Sequence, residues 1–225
     1  MNQRILAWEG CRNVRDLGGL RTRAGGLTRM GAVVRSDTPA RLTPAGWAAL
    51  YAYGVRTIVT LCTRGLVEEE LTVTPPFADV VTLRVEIEDV TDEDFVRQWA
   101  SSELWATPLY YHDALRRWPD RHAAAISALA QARPGGVLFH CKRGHDRTGI
   151  IALLVLALTG VAPDEITADY ALSPDPERDE ILARQGASVE TVLRHALEGL
   201  EIDSYLRTGG ASQEDLSALR TRLLG

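Results

Sequence analysis

Val137-Leu138-Phe139-His140-Cys141-Lys142-Arg143-Gly144-His145-Asp146-Arg147-Thr148-Gly149-Ile150-Ile151 is an apolar run, a short charged turn holding a glycine, and the start of a second apolar run. The first run follows the break Pro134-Gly135-Gly136 and is short enough for a buried strand; the second continues to Leu158 and has the length of a helix, predicted from Thr148 to Leu158. A turn from a strand into a helix aims several backbone N–H groups at one point, and the helix dipole adds positive potential there, so residues 140–149 are expected to cradle an anion. Cys141 would sit at the base of that cradle, where the positive field favours its thiolate. Arg147 is spaced to hold two oxygens of a bound phosphate, and Thr148 to donate its hydroxyl to the sulfur. A merely structural cysteine beside a solvated turn requires neither the arginine nor the threonine at these positions.

Working outward, strands alternate with helices. Thr43 and Pro44 mark a helix start that Gly54 ends, Val55 to Leu61 and Val80 to Ile87 read as strands, and a helix from Asp120 to Gln131 leads into the quoted strand. Residues 5–34, broken by Gly18-Gly19 and Gly25-Gly26, read as an antiparallel hairpin region at a sheet edge. The expected fold class is α/β, with a central, mainly parallel sheet flanked by helices. Residues 88–118 look inserted: Thr91 as the cap of one short helix, Thr107-Pro108 as the start of a second ending at Trp118, both rich in Trp and Tyr, forming a helical lid. Pro163 to Leu172 begins a helical C-terminus with two or three further helices; residues 174–225 belong to it, and 1–225 form a single domain.

With 225 residues, 45% hydrophobic and 24% charged, the composition is that of a globular chain and excludes disorder. No apolar run reaches the ~18 residues of a membrane span, so no integral membrane association is expected, and the expected compartment is the cytoplasm, with export by a leaderless route left open. A net charge of -5 argues against nucleic acid as a partner and requires any anion site to be built locally. Cys11, Cys62 and Cys141 form no CxxC pair and are expected as free thiols. Among the 25 cationic residues one is lysine, Lys142, inside the cradle, where it, Arg143, Gly144 and His145 are candidate phosphate-binding positions.

Residues 140–149 resemble the C-x5-R-T loop of cysteine-dependent phosphatases. Asn13-Val14-Arg15-Asp16-Leu17-Gly18-Gly19, Arg35-Ser36-Asp37 and Asp169-Tyr170-Ala171-Leu172-Ser173 are similar to the bacterial tyrosine and lipid phosphatase branch. The resemblance spans roughly residues 10–180. It implies a tyrosine-phosphatase-like fold, a phosphocysteine intermediate on Cys141, no metal and no cofactor, and a phosphorylated protein or a phosphoinositide as substrate. His140 and Asn13 are then supporting residues, the first ordering the loop and the second tying the hairpin to it. Two positions depart from that branch: His145 stands where it usually has Lys, and Thr60-Leu61-Cys62 where it has Asp-Leu-Arg.

Such chemistry needs a carboxylic acid to protonate the leaving oxygen. Asp146, beside Arg147 and carried by that branch, is the first choice; Asp89, after a strand, is the second. Asp120, in Trp118-Pro119-Asp120, is the third, because a helix first turn favours an Asp by itself. Two other functions fit the same loop less well: a phosphate-binding module without turnover, which has no use for the cysteine, and a thiol enzyme such as an arsenate reductase, which needs a resolving thiol near Cys141.

Overall fold

A computed structural model describes residues 4–225. Five strands, β1 (Arg15–Asp16), β2 (Val33–Ser36), β3 (Val55–Arg64), β4 (Val81–Asp89) and β5 (Gly136–His140), form one sheet in the order β1-β2-β5-β3-β4. Only β1 runs antiparallel, against β2; every other pairing is parallel, so the α/β, mainly parallel fold expected from the sequence is present. Every residue of β5 is buried. Its side chains alternate between two cores, Val137 and Phe139 on one face and Leu138 on the other, as the two-residue period of a strand requires. The smaller core packs α1 (Pro44–Ala52), capped by Thr43 with Pro44 at its first position, against the Leu138 face.

Ten helices, α1 to α10, surround the sheet among the described residues. After α1 come the single turn α2 (Glu93–Phe95), α3 (Tyr111–Arg117), α4 (Pro119–Ala130) and α5 (Asp146–Leu158). α5 carries the second apolar run and is buried except at Asp146, Arg147 and Ala157, so it fills the larger core behind β5. Then follow α6 (Pro163–Ala171), α7 (Pro176–Arg184), α8 (Val189–Leu197), α9 (Ile202–Thr208) and α10 (Gln213–Leu224). Four helices thus follow α6 rather than two or three, because the turns at Gly186, Gly199 and Gly210, all at positive φ, divide the C-terminus more finely.

Several boundaries differ from the sequence reading. β3 runs to Arg64 and α5 begins at Asp146, two residues before Thr148, which puts both Asp146 and Arg147 in its first turn. The cap of the first inserted helix is Asp92, whose carboxylate accepts the Phe95 N–H at 3.0 Å, while Thr91 donates to Asp89. That helix is one α turn followed by a π turn, Val96–Ala100. The insert is also anchored more deeply than a free lid would be: Phe95, Tyr110 and Tyr111 are wholly buried, and the Phe95 ring meets Tyr110 and Trp118 edge-on.

Candidate functional site

The loop 141–145 joins β5 to α5 at the carboxyl end of the parallel strands, where an open α/β sheet presents a crevice. Its shape depends on Gly144, at φ +72°. A Cβ at that position would stand 2.5 Å from the Ser36 carbonyl oxygen, so the loop could not lie against the end of β2 with any other residue. Gly149 does the same one turn into α5, where a Cβ would lie 2.3 Å from the Tyr111 hydroxyl oxygen; that hydroxyl donates to the Asp146 carbonyl at 2.6 Å.

The loop is held from below by a buried arginine cluster. Arg15 and Arg35 donate to the Asp169 carboxylate at 3.1 and 2.9 Å, and Arg4 joins them. Arg35 also donates to the Gly144 carbonyl at 2.9 Å, and Asn13 Nδ2 to the same carbonyl at 3.1 Å. Burial works against the charge on Asp169, but Arg15, Arg35 and Arg4 outweigh it and hold the carboxyl down at about 2. Asp16 accepts the Gly18 and Gly31 N–H groups, both at 2.6 Å, and pins the hairpin; Asp37 accepts the Arg12 and Asn13 N–H groups. His140 is wholly buried between the Thr60 hydroxyl, at 2.8 Å, and the Cys141 carbonyl, at 3.1 Å. Burial pushes it down to about 4, so it is a neutral ring at physiological pH.

Above this base lie the groups with reactive potential. Cys141 is 3% exposed. Arg147 donates to the Leu61 carbonyl at 3.0 Å and, through both terminal nitrogens, to Glu68 at 2.9 and 2.8 Å, with Glu88 at 3.9 Å from its Nε. Burial opposes its charge, but Cys141, Glu88 and Glu68 surround it and raise it above the ordinary arginine value. Thr148 is buried with its hydroxyl unpartnered among the described residues. Lys142 pairs with Glu70 at 2.7 Å, and Arg143 and His145 both reach Asp175 at 3.2 Å.

A cleft of about 230 Å³ opens beside the loop, lined by Glu88, Ser102, Trp105, Tyr110, Arg143, Asp146 and Arg147. Ser102 and Trp105 come from the insert, which therefore overhangs the loop. The carboxyls separate sharply here. Asp146 has one oxygen 3.3 Å from Arg143 and the other buried without a partner among the described residues; burial raises its pKa. Glu88 is also raised by burial, but both its oxygens already accept hydrogen bonds, from Thr63 at 3.0 Å and Tyr110 at 2.5 Å. Asp89 lies outside the cleft. Burial works against its charge, yet two bonds from Thr91 and the guanidiniums of Arg121 and Arg64 hold it below its ordinary value. Asp120 sits in the first turn of α4 on a different depression, with Cys62 and Arg84.

Glu68, Glu70, Glu88 and Asp175 went unsingled in the sequence reading. Only Asp175 had a local signal, preceding Pro176 as a helix cap; its other oxygen accepts the Arg178 N–H. Cys11 and Cys62 are free thiols that donate to the Thr38 and Thr60 carbonyls.

Residues 6–225 match the tyrosine phosphatase family. Over 168 residues, 73% of this chain and 61% of the relative, the chain is 33% identical to a protein of Cupriavidus necator provisionally named a tyrosine-protein phosphatase. It is 32% identical over 123 residues to a tyrosine-protein phosphatase of Nostoc commune, covering 42% of this chain and 41% of that one. With the triple specificity protein phosphatase of Mycobacterium tuberculosis the identity is 41% over 76 residues, 31% of this chain and 27% of the relative. The chain thus spans about three fifths or less of the length of these relatives. No helix among the described residues is long and apolar enough to cross a membrane.

Proposed function

As the chain belongs to the tyrosine phosphatase family, we propose that it is a phosphomonoester hydrolase acting on phosphotyrosine in proteins through a phosphocysteine intermediate. The observation that carries this reading is the juxtaposition of a buried cysteine, a firmly charged arginine and a carboxyl with a raised pKa around one strand-to-helix loop. Phosphate oxygens are received by the loop N–H groups and by Arg147. The Cys141 thiolate attacks phosphorus in line with the leaving oxygen, the P–O bond breaks, and Asp146 gives its proton to that oxygen. Thr148 stabilises the sulfur. Water then attacks phosphorus, losing its proton to Asp146 while the P–S bond breaks, and inorganic phosphate leaves with the thiolate restored.

Asp146 is favoured over Glu88 because its buried oxygen is unpartnered, and over Asp89 because it lines the cleft. Trp105 lines the cleft and supplies an aromatic surface suited to an aryl phosphate. Lys142 and Arg143 add cations at the rim, though each stands beside a carboxylate, which argues against a heavily charged phosphoinositide headgroup; burial lowers the pKa of His145, so its ring adds no charge there. The test is hydrolysis of phenyl phosphate and of a phosphotyrosine peptide with and without vanadate. Cys141→Ser abolishes turnover while retaining phosphate binding, and Arg147→Lys is nearly inactive because a point ammonium does not reproduce the guanidinium fork. Hydrolysis retained in Cys141→Ser would overturn the mechanism.

A further inference from the structure

In the segment that follows β3, Glu68-Glu69-Glu70-Leu71 holds three consecutive carboxylates, of which the first reaches Arg147 and the third Lys142. Its ends are fixed: Glu68 accepts the Thr63 N–H at 2.9 Å as well as the Arg147 guanidinium, and Leu71 is wholly buried. Between them, Glu70 Oε1 lies 2.7 Å from Lys142 Nζ. This pairing is built into the backbone by Thr38, itself wholly buried, whose N–H donates to the Lys142 carbonyl at 3.2 Å and whose hydroxyl donates to the Glu70 carbonyl at 2.9 Å. One residue therefore sets both members of the pair side by side. Both side chains remain partly exposed at the rim, Lys142 at 52% and Glu70 at 35%, so the pair is within reach of an arriving substrate.

An ammonium immediately after Cys141 would draw any second anionic group on a substrate toward the loop. With a carboxylate 2.7 Å away, that charge is cancelled at longer range and only a short dipole remains. We infer that Glu70 is a specificity-determining residue, which neutralises Lys142 and so biases the site toward substrates with one phosphate and no second anionic group beside it. This rests on the reading of the loop as a phosphatase site and names the substrate class that site prefers. It also gives the single lysine of the chain a purpose: its charge is poised at the rim and held cancelled.

The experiment compares kcat/KM for phenyl phosphate and for 1,3-phenylene bisphosphate in the wild-type chain, in Glu70→Gln and in Glu70→Gln/Lys142→Met, with circular dichroism as the check on folding. Glu70→Gln leaves phenyl phosphate hydrolysis within about twofold, because an exposed pair contributes little to the fold. It raises the bisphosphate-to-monophosphate ratio about fivefold, the factor carried by one unit-charge pair at contact distance in water. The gain shrinks as salt is raised, since the charges are solvent-facing, and disappears in the double variant. A ratio unchanged in Glu70→Gln, or a gain that survives loss of the lysine, overturns the inference while phenyl phosphate turnover leaves the phosphatase reading standing. Absence of phenyl phosphate turnover in the wild-type chain overturns the reading on which the inference rests.

Discussion

Replacing Asp169 by Asn removes the one carboxylate on which Arg4, Arg15 and Arg35 converge. Asp169 is 1% exposed, and its carboxyl is held at about 2, against an ordinary value of 3.8. At about 1.36 kcal/mol for each tenfold change in proton affinity, that depression corresponds to about 2 kcal/mol of stability at neutral pH. An amide also turns donor hydrogens toward guanidinium donors and removes the counter-charge that the buried Arg15 and Arg35 share, so the full loss is about 3–5 kcal/mol, the range for breaking a buried pair from one side. For a chain of this size a melting temperature falls about 2–4 °C per kcal/mol, which gives a drop of about 6–20 °C. Because the folded-state value is depressed, the contribution is complete above the ordinary value and is lost as pH falls from about 4 toward 2; the Asn variant lacks that part of the acid slope. Urea titrations at several pH values measure both effects. Since Arg35 also holds the Gly144 carbonyl, vanadate should bind the variant more weakly. A loss under about 1 kcal/mol with vanadate affinity unchanged would refute the cluster as the support of the loop.

Asp146→Asn should cost about 10²–10⁴ in rate on alkyl phosphates and far less in phosphoenzyme formation from an activated aryl phosphate. A general acid works protonated, so activity falls as pH rises through its pKa, and the Asn variant should lose that alkaline limb; the same pattern in Glu88→Gln or Asp89→Asn, with Asp146→Asn indifferent, would reassign the acid. Hydrogen exchange in residues 96–107, which overhang the cleft through Ser102 and Trp105, should slow when vanadate binds, whereas the anchoring residues Phe95, Tyr110 and Tyr111 should be slow in both states; equal exchange across 96–107 would count against a lid.

The strand, the loop and α5 were legible because their signals are local: an apolar run, glycine at a turn, and a cysteine and arginine set six positions apart. The same holds for α1, whose cap and first-turn proline are adjacent in the chain. What was not legible depends on register between distant segments. Asp89 was a plausible acid at the end of a strand, but β3 and β4 change register after Cys62, so that Cys62 pairs with Glu86 and Thr63 with Glu88. That extra residue in β4 puts Glu88, not Asp89, in the cleft. Likewise, nothing local distinguishes Glu68 and Glu70 from Glu69; only the packed ends of the segment decide which carboxylates reach Arg147 and Lys142. Arg15, Arg35 and Asp169 stand in the stretches that carry the family resemblance, Arg4 does not, and the convergence of the three arginines on Asp169 is a property of the fold.

The most direct test is to stop turnover of an aryl phosphate with acid within milliseconds and locate covalent phosphate by mass spectrometry of the digested protein. Phosphate is expected on the peptide that contains Cys141, in the wild-type chain and accumulating in Asp146→Asn, and absent from Cys141→Ser. Turnover with no phosphate on Cys141 at any time, or with phosphate on another residue, would contradict a cysteine nucleophile in this loop.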